Sequence, residues 1–348
     1  MLSAREGQAR SAIIELPLDP ARKGRRELLL LSHRGPIHSS ETAMRPSRRR
    51  RGRFELALVM GAVTALACVS KSPAPSDTQT VVDEIGRSIQ VKPIPQRIVS
   101  LAPSITEILF ALGLGDRVVG VTSYCDYPPE AAAKEKVGDT LRPSIERMVA
   151  LKADLVIVST ASQLEAFVKN LDKLQIPLYV SDPRNLDGVL ASIERIGELG
   201  GVADRSRELT WTLRARIDTV ESRVRGLNRP RVLFILGTSP LITVGGRGFI
   251  DDLINRAGGR SISAGQSGDY PQFSLESAVA AQPEVIFLQS GETELSGSLK
   301  NTTAARDGRI FRLDDALLLR PGPRIVDGLE KMAARIHPEA FAEGENTK

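Results

Sequence analysis

The chain has 348 residues, of which 41% are hydrophobic, 26% charged and 4% aromatic, with a formal net charge of +5. That length and balance describe a globular protein of one or two domains with a sizeable core, and exclude a disordered or fibrous chain. Two cysteines, Cys68 and Cys125, exclude a disulfide framework or a cysteine zinc cluster, and three histidines (His33, His38 and His337) leave little for histidine-based metal or acid–base chemistry.

The charge is uneven. Residues 1–53 hold 13 basic and 5 acidic side chains, net +8, whereas residues 68–348 hold 34 and 36, net −2. The positive excess is therefore N-terminal and is no nucleic-acid footprint of the folded part. Arg48-Arg49-Arg50-Arg51-Gly52-Arg53 precedes an apolar run, Leu56 to Cys68, that is too short to span a bilayer. A basic start, a short apolar stretch and Ala65-Leu66-Ala67 at its end describe a secretory signal cleaved at an A-x-A site. Residues 44–67 are read as that signal peptide, starting at Met44, and residues 1–43 as an upstream extension. The sequence "ALAC" resembles a bacterial lipobox, which implies acylation of Cys68 and a lipid anchor. Residues 68–80, rich in Ser, Pro and Thr, form a flexible tether.

The folded part is expected from about Val81. "RIVSL" (97–101) reads as a strand, and "PSITEILFALGLGD" as a helix ending at Gly113 and Gly115. "RVVGVT" (117–122) is a second strand, "SIERMVALKA" (144–153) a helix, and "DLVIVS" (154–159) a nearly continuous apolar strand. "QLEAFVKNLDKLQ" follows as a helix and "PLYVS" as a strand. Strands that are apolar on both faces and alternate with helices predict a parallel sheet covered by helices. From 202 to 226 the texture changes to one long helix, with Leu209, Leu213, Ile217, Val220 and Val224 at helical spacing. At 1.5 Å per residue it is about 37 Å long. The only tryptophan, Trp211, falls within it and is assigned to packing. The α/β texture then restarts with "RVLFIL" (231–236), "FIDDLINRAGG" (249–259), "SLESAVAAQ" (274–282) and "EVIFLQ" (284–289).

The halves echo each other. "PSIERMVALKADLVIV" (143–158) aligns without a gap on "FSLESAVAAQPEVIFL" (273–288), 130 residues later, and pairs Ser144 with Ser274 and Glu146 with Glu276. The fold class is therefore α/β, with two similar Rossmann-like lobes built on parallel sheets. Their bounds are 81–201 and 227–348, joined by the interlobe helix at 202–226. The cleft between such lobes is the default ligand site.

Five segments carry a family resemblance: "RIVSLAPSITEILFALGLGDRVVGVTSYCDYPPEA", "VGDTLRPSIERMVALKADLVIV", "TVGGRGFIDDLINRAGG", "YPQFSLESAVAAQPEVIF" and "RPGPRIVDGLEKMA". Over residues 90–342 the chain resembles periplasmic substrate-binding proteins of the cobalamin, siderophore and haem uptake class, the helical-backbone metal receptors. "SYCDYPPEA" and "RPGPRI" look most like the cobalamin-binding branch. The resemblance implies a monomeric extracytoplasmic receptor, not an enzyme, that captures a corrinoid and delivers it to an ABC permease dimer and its ATPase. It implies no resident cofactor, no metal site, no nucleic-acid partner and no membrane contact beyond the lipid anchor. It places Glu146 and Glu276 on the surface glutamates that dock onto the permease, one per lobe. Helix capping explains the same residues independently, since Ser144 and Ser274 start helices and an acidic first turn suits the helix dipole.

Ligand contacts are expected in loops at the carboxyl ends of strands. In the N-terminal lobe these hold Pro103, Ser104, Tyr124, Leu141 and Ser159, and in the C-terminal lobe Ile242, Tyr270, Arg320 and Arg324. Tyr124 and Tyr270 match aromatic ligand contacts of cobalamin binders, and aromatic faces suit a flat macrocycle. Arg320 and Arg324 are candidates for ligand amides or propionates, or for a structural ion pair. Where well-known cobalamin binders carry cleft tryptophans, this sequence has Thr140, Leu141, Ser159 and Tyr270, so a ferric siderophore or haem receptor is the alternative, with Tyr124 or Tyr270 as an axial ligand. Cys125 is read as a small buried residue. An exported metal-assisted hydrolase built on Asp251-Asp252 or Asp314-Asp315 is the distant alternative.

Overall fold

A computed structural model describes residues 78–140, 142–159, 170–246, 248–289, 295 and 297–342. The extension, the signal peptide, Cys68, most of the tether and Leu141 lie outside the described residues. The first element is an antiparallel hairpin, β1 (Gln79–Val82) and β2 (Ser88–Val91). It begins inside the stretch read as tether, whose Thr and Val alternation is strand-like despite the Ser/Pro composition around it. Glu84, in the turn, fastens the hairpin to the N-terminal lobe. Its carboxylate accepts hydrogen bonds from Ser181 Oγ (3.3 Å), the Asp182 amide (2.8 Å) and Ser192 Oγ (2.7 Å).

The N-terminal lobe runs β3 (Ile98–Ser100), α1 (Pro103–Ala111), β4 (Val118–Val121), α2 (Pro129–Ala132), β5 (Glu135–Lys136), α3 (Ile145–Ala150), β6 (Leu155–Ser159), β7 (Leu178–Ser181) and α4 (Leu186–Leu199). Its five strands pair in the order β5-β4-β3-β6-β7, all parallel. β3 and β7 are buried along their whole length and β6 along all but its last residue, as strands covered on both faces must be.

The long helix, α5 (Ala203–Val224), is close to the expected span. Leu213, Ile217, Val220 and Val224 are buried on it, and Leu209 is partly buried. Trp211 is not packed: it is 75% exposed, which overturns the packing assignment. Residue 211 lies about 200° around the helix from Leu209, opposite the apolar stripe, so the indole points to solvent.

The C-terminal lobe runs β8 (Arg231–Ile235), β9 (Gly237–Thr238), β10 (Leu241–Ile242), α6 (Phe249–Arg256), β11 (Arg260–Ser261), α7 (Leu275–Ala280), β12 (Val285–Leu288), α8 (Thr303–Arg306), β13 (Ile310–Arg312), α9 (Asp315–Leu318), α10 (Ile325–Ile336) and α11 (Pro338–Phe341). Its sheet order, β11-β8-β12-β13, repeats β4-β3-β6-β7, again all parallel.

The repeat extends to single hydrogen bonds. Arg97, before β3, donates its amide to Asp154 and its Nε to the Leu151 carbonyl at the end of α3 (2.6 Å). Arg231 does the same with Glu284 and the Ala281 carbonyl at the end of α7 (3.0 Å). Lys152 (φ 50°) and Gln282 (φ 45°) take the left-handed conformation after those helices. Gly138 (φ 104°) and Gly268 (φ 88°), 130 residues apart, take it before them, where a side chain would be strained.

One apolar core runs through both lobes. It joins Ile105 and Leu155 of the first, Leu213 and Ile217 of α5, and Phe234, Leu253, Phe287 and Leu329 of the second. Smaller clusters cover the opposite sheet faces, with Val99, Met148 and Val156 matched by Leu233, Ala278 and Ile286. Ion pairs brace the same junction. Arg216 of α5 reaches Asp327 (2.6 Å) and Glu330 (2.7 Å) of α10. Arg256 of α6 meets Glu221 of α5 (2.6 Å), Asp252 (3.1 Å) and Asp187 of α4. Asp252 also accepts the Leu186 amide at the first turn of α4 (2.9 Å).

Candidate functional site

The carboxyl ends of β6 and β7 and the loops of the second lobe face one another across a cavity of about 520 Å³. Ser159 closes β6, and Asp182, Pro183 and Arg184 follow β7 directly. Opposite them stand Val244, the start of α6 (Gly248 to Ile250), Asp269 and Tyr270. Leu318, Leu319 and Pro321 complete the lining. The volume is that of a cleft for a small organic ligand.

The cavity's charge is mostly acidic. Arg184 donates its Nε to Asp182 (2.6 Å), so the cation in the lining is already paired. Asp182 sits at the end of β7 with its amide held by Glu84, while Asp269 is exposed. Tyr270 is half-exposed, and burial together with the Asp269 charge pushes its phenol above the ordinary value, so it stays protonated at neutral pH.

A second constellation lies where α1 meets the Arg320–Arg324 turn. Glu107 of α1 has a side chain only 2% exposed. Arg324 grips it with Nε (3.0 Å) and Nη2 (2.7 Å), and Arg320 Nη1 lies 3.5 Å away. Arg320 also forks onto Asp126 at 2.5 and 3.2 Å, and its guanidinium holds the Asp126 carboxyl below the usual carboxylate range. Arg324 stacks over the Tyr127 ring, 3.8 Å from its centroid. Both arginines have their affinity for the proton raised, Arg324 chiefly by its bonds to Glu107.

Of the nine expected ligand contacts, Ser159 and Tyr270 line the cavity, and Leu141 lies outside the described residues. Arg320 and Arg324 form the ion pair that was the alternative for them. Pro103 and Ser104 open α1, and Ser104 is buried, its carbonyl oxygen facing Gly322 of the arginine turn. Tyr124 is half-exposed beside Cys125 and Asp126, and Ile242 is held in the β9–β10 hairpin; neither is among the cavity-lining residues. Asp182, Arg184, Phe249 and Asp269 were missed. Asp182 and Arg184 directly follow the "PLYVS" strand, so the same strand-end rule, applied there, is the signal that could have found them. Glu107 carried a signal of its own: one carboxylate in an otherwise apolar helical run.

Cys125 is buried, with Thr106 and Thr122 hydroxyls at 3.1 and 3.2 Å from its sulfur, as expected of a small packed residue. Asp251, Asp252 and Asp314 do not build a hydrolytic centre. Asp252 pairs with Arg256, Asp251 is bonded to Asn255 with its other oxygen buried and unpartnered, and Asp314 accepts the Ala316 amide. Among the described residues no group of three or more His, Cys, Asp or Glu is placed to hold a metal.

Glu146 and Glu276 are exposed in the first turns of α3 and α7. Each accepts a hydrogen bond from its N-cap serine, Ser144 (3.0 Å) and Ser274 (2.7 Å). The helix-start amide and the serine hydroxyl hold Glu146 below its ordinary value, and the hydroxyl and amide do the same for Glu276. Two ionised carboxylates are thus presented in matched settings, one per lobe.

Two parallel-sheet lobes, one long connecting helix and an interlobe cavity define a bilobal receptor, and residues 98–317 match the family described as periplasmic binding protein. The chain belongs to that family; it is a substrate-binding protein of an ABC importer and not an enzyme. It is 30% identical over 315 residues to an uncharacterized ABC transporter substrate-binding lipoprotein, YvrC, of Bacillus subtilis strain 168, covering 85% of this chain and 100% of that one. Among solved structures it is similar to the periplasmic heme-binding protein RhuT of Roseiflexus sp. RS-1, with 31% identity and a TM-score of 0.63 over 70% of this chain and 99% of that one. It is similar also to the periplasmic vitamin B12-binding protein BtuF of Vibrio cholerae, with 28% identity and a TM-score of 0.62 over 72% and 99%.

Proposed function

We propose that the protein captures a corrinoid in the interlobe cavity, outside the cytoplasm, and delivers it to its permease while anchored through acylated Cys68. The observation that carries the ligand class is the charge of the lining. Asp182 and Arg184 neutralise each other, Asp269 leaves the lining with a net charge of −1, and Tyr270 presents a neutral phenol. A corrin rimmed by amides supplies N–H donors to those carboxylates and a flat face to Tyr270. Haem propionates and anionic ferric siderophores meet like charge there. Similarity to both a vitamin B12-binding and a heme-binding protein supports the macrocycle and leaves its peripheral charge to the cleft.

Glu146 and Glu276 are assigned to permease docking. Their matched capping keeps both ionised and presents them to a partner with two related halves. The deciding experiment is a titration of the purified protein with cyanocobalamin and, separately, haemin, followed by calorimetry and absorbance. Micromolar or tighter binding of cyanocobalamin, at least tenfold tighter than haemin, is expected. Binding of haemin alone overturns the corrinoid assignment.

A further inference from the structure

Leu318, Leu319 and Pro321, on either side of Arg320 in the chain, line the cavity, while Arg320 and Asp126 stand outside its lining. Two features set this pair apart from a structural bridge. The two carboxylates that share the arginine turn differ sharply: Glu107 is 2% exposed and Asp126 is 66% exposed. Arg324 is committed to Glu107 through two bonds and to Tyr127 through its face, whereas Arg320 touches Glu107 at 3.5 Å alone. Arg320's fork therefore faces an outer, solvated carboxylate, in the planar two-point geometry that a ligand carboxylate would use.

We infer that Asp126 occupies, from within the chain, the place on Arg320 where an anionic substituent of a ligand would bind, and so sets the receptor's preference against carboxylate-bearing macrocycles. The inference rests on the cavity being the ligand site, as proposed above. With Asp126 in place, a propionate gains no cation until it displaces an intramolecular partner, and it approaches a carboxylate while doing so. An amide-rimmed ligand makes no such demand. Glu107 serves as the positioning residue. It fixes Arg324, and with it the turn that aims Arg320, from inside the first lobe.

The test compares haemin with its dimethyl ester, which has the same ring and no carboxylate. In the full-length protein, Asp126→Asn is expected to tighten haemin about tenfold relative to the ester, the scale of one charge-assisted hydrogen bond. Adding Arg320→Gln to Asp126→Asn is expected to abolish that gain, and salt is expected to erode it. A merely structural bridge predicts the same change for both porphyrins. A haemin-to-ester ratio that does not move in Asp126→Asn overturns the inference, as does a gain that survives loss of Arg320. Cyanocobalamin titration of the unaltered protein reads the corrinoid assignment separately.

Discussion

Removing Arg324 should be among the most damaging single changes in the C-terminal lobe, although the residue stands on a surface turn. Its two bonds, at 2.7 and 3.0 Å, are the main neutralisation of the Glu107 carboxylate, whose side chain is 2% exposed. Arg324→Leu leaves that charge buried with Arg320 at 3.5 Å as its remaining cation. Breaking a buried pair from one side costs about 3–5 kcal/mol, because the orphaned charge keeps its desolvation penalty. For a folded part of this size the loss corresponds to about 6–20 °C in Tm. Replacing both partners, Glu107→Leu with Arg324→Leu, should recover most of the loss, because no charge is then left buried. Thermal and denaturant unfolding of the two single variants and the double variant completes the cycle. A coupling energy below about 1 kcal/mol would refute the claim that Glu107 depends on the second lobe.

Three further outcomes are expected. Ile217→Ala, in the middle of the buried stripe of α5, should cost about 2–5 kcal/mol in unfolding free energy, whereas Trp211→Ala on the solvent side should stay within about 0.5 kcal/mol. Tyr270→Ala should weaken the cognate macrocycle about tenfold in calorimetry, and Tyr270→Phe should restore most of the affinity, because the proposed contact is the ring face. The Asp126–Arg320 bridge should stabilise fully at neutral pH. The Arg320 hydrogen bonds hold the folded-state Asp126 carboxyl below its ordinary value, so the contribution is present above the ordinary aspartate range of about 4 and is lost only as pH falls below it. Following the Asp126 carboxyl by NMR across pH 2–6 checks the sign: a midpoint above that of an ordinary aspartate would contradict it.

Much of the architecture was legible because parallel sheets write themselves in apolar runs, and because the second lobe repeats the first. "DLVIVS" and "EVIFLQ" became β6 and β12, and the 130-residue echo became a shared strand order. The hairpin at Gln79–Val91 was hidden by neighbouring Ser and Pro and is held by one buried contact set around Glu84, which local pattern does not encode. The site was half-legible. Strand ends pointed to Ser159, but which arginines face a ligand and which face Glu107 depends on partners more than 190 residues away in sequence. Trp211 is exposed because its angle on the helix, about 200° from Leu209, turns it away from the apolar stripe.

The single core shared by both lobes bears on engineering. The sheets repeat one strand order, and each lobe keeps a small apolar cluster of its own, yet the main interior is shared, since Ile105, Ile217 and Leu329 belong to one apolar cluster. Separately expressed halves would expose that seam. A chimaera that exchanges one lobe between relatives should fold only when α5 and α10 travel with it, so new ligand specificities are expected to arise by resurfacing the cleft loops rather than by shuffling lobes.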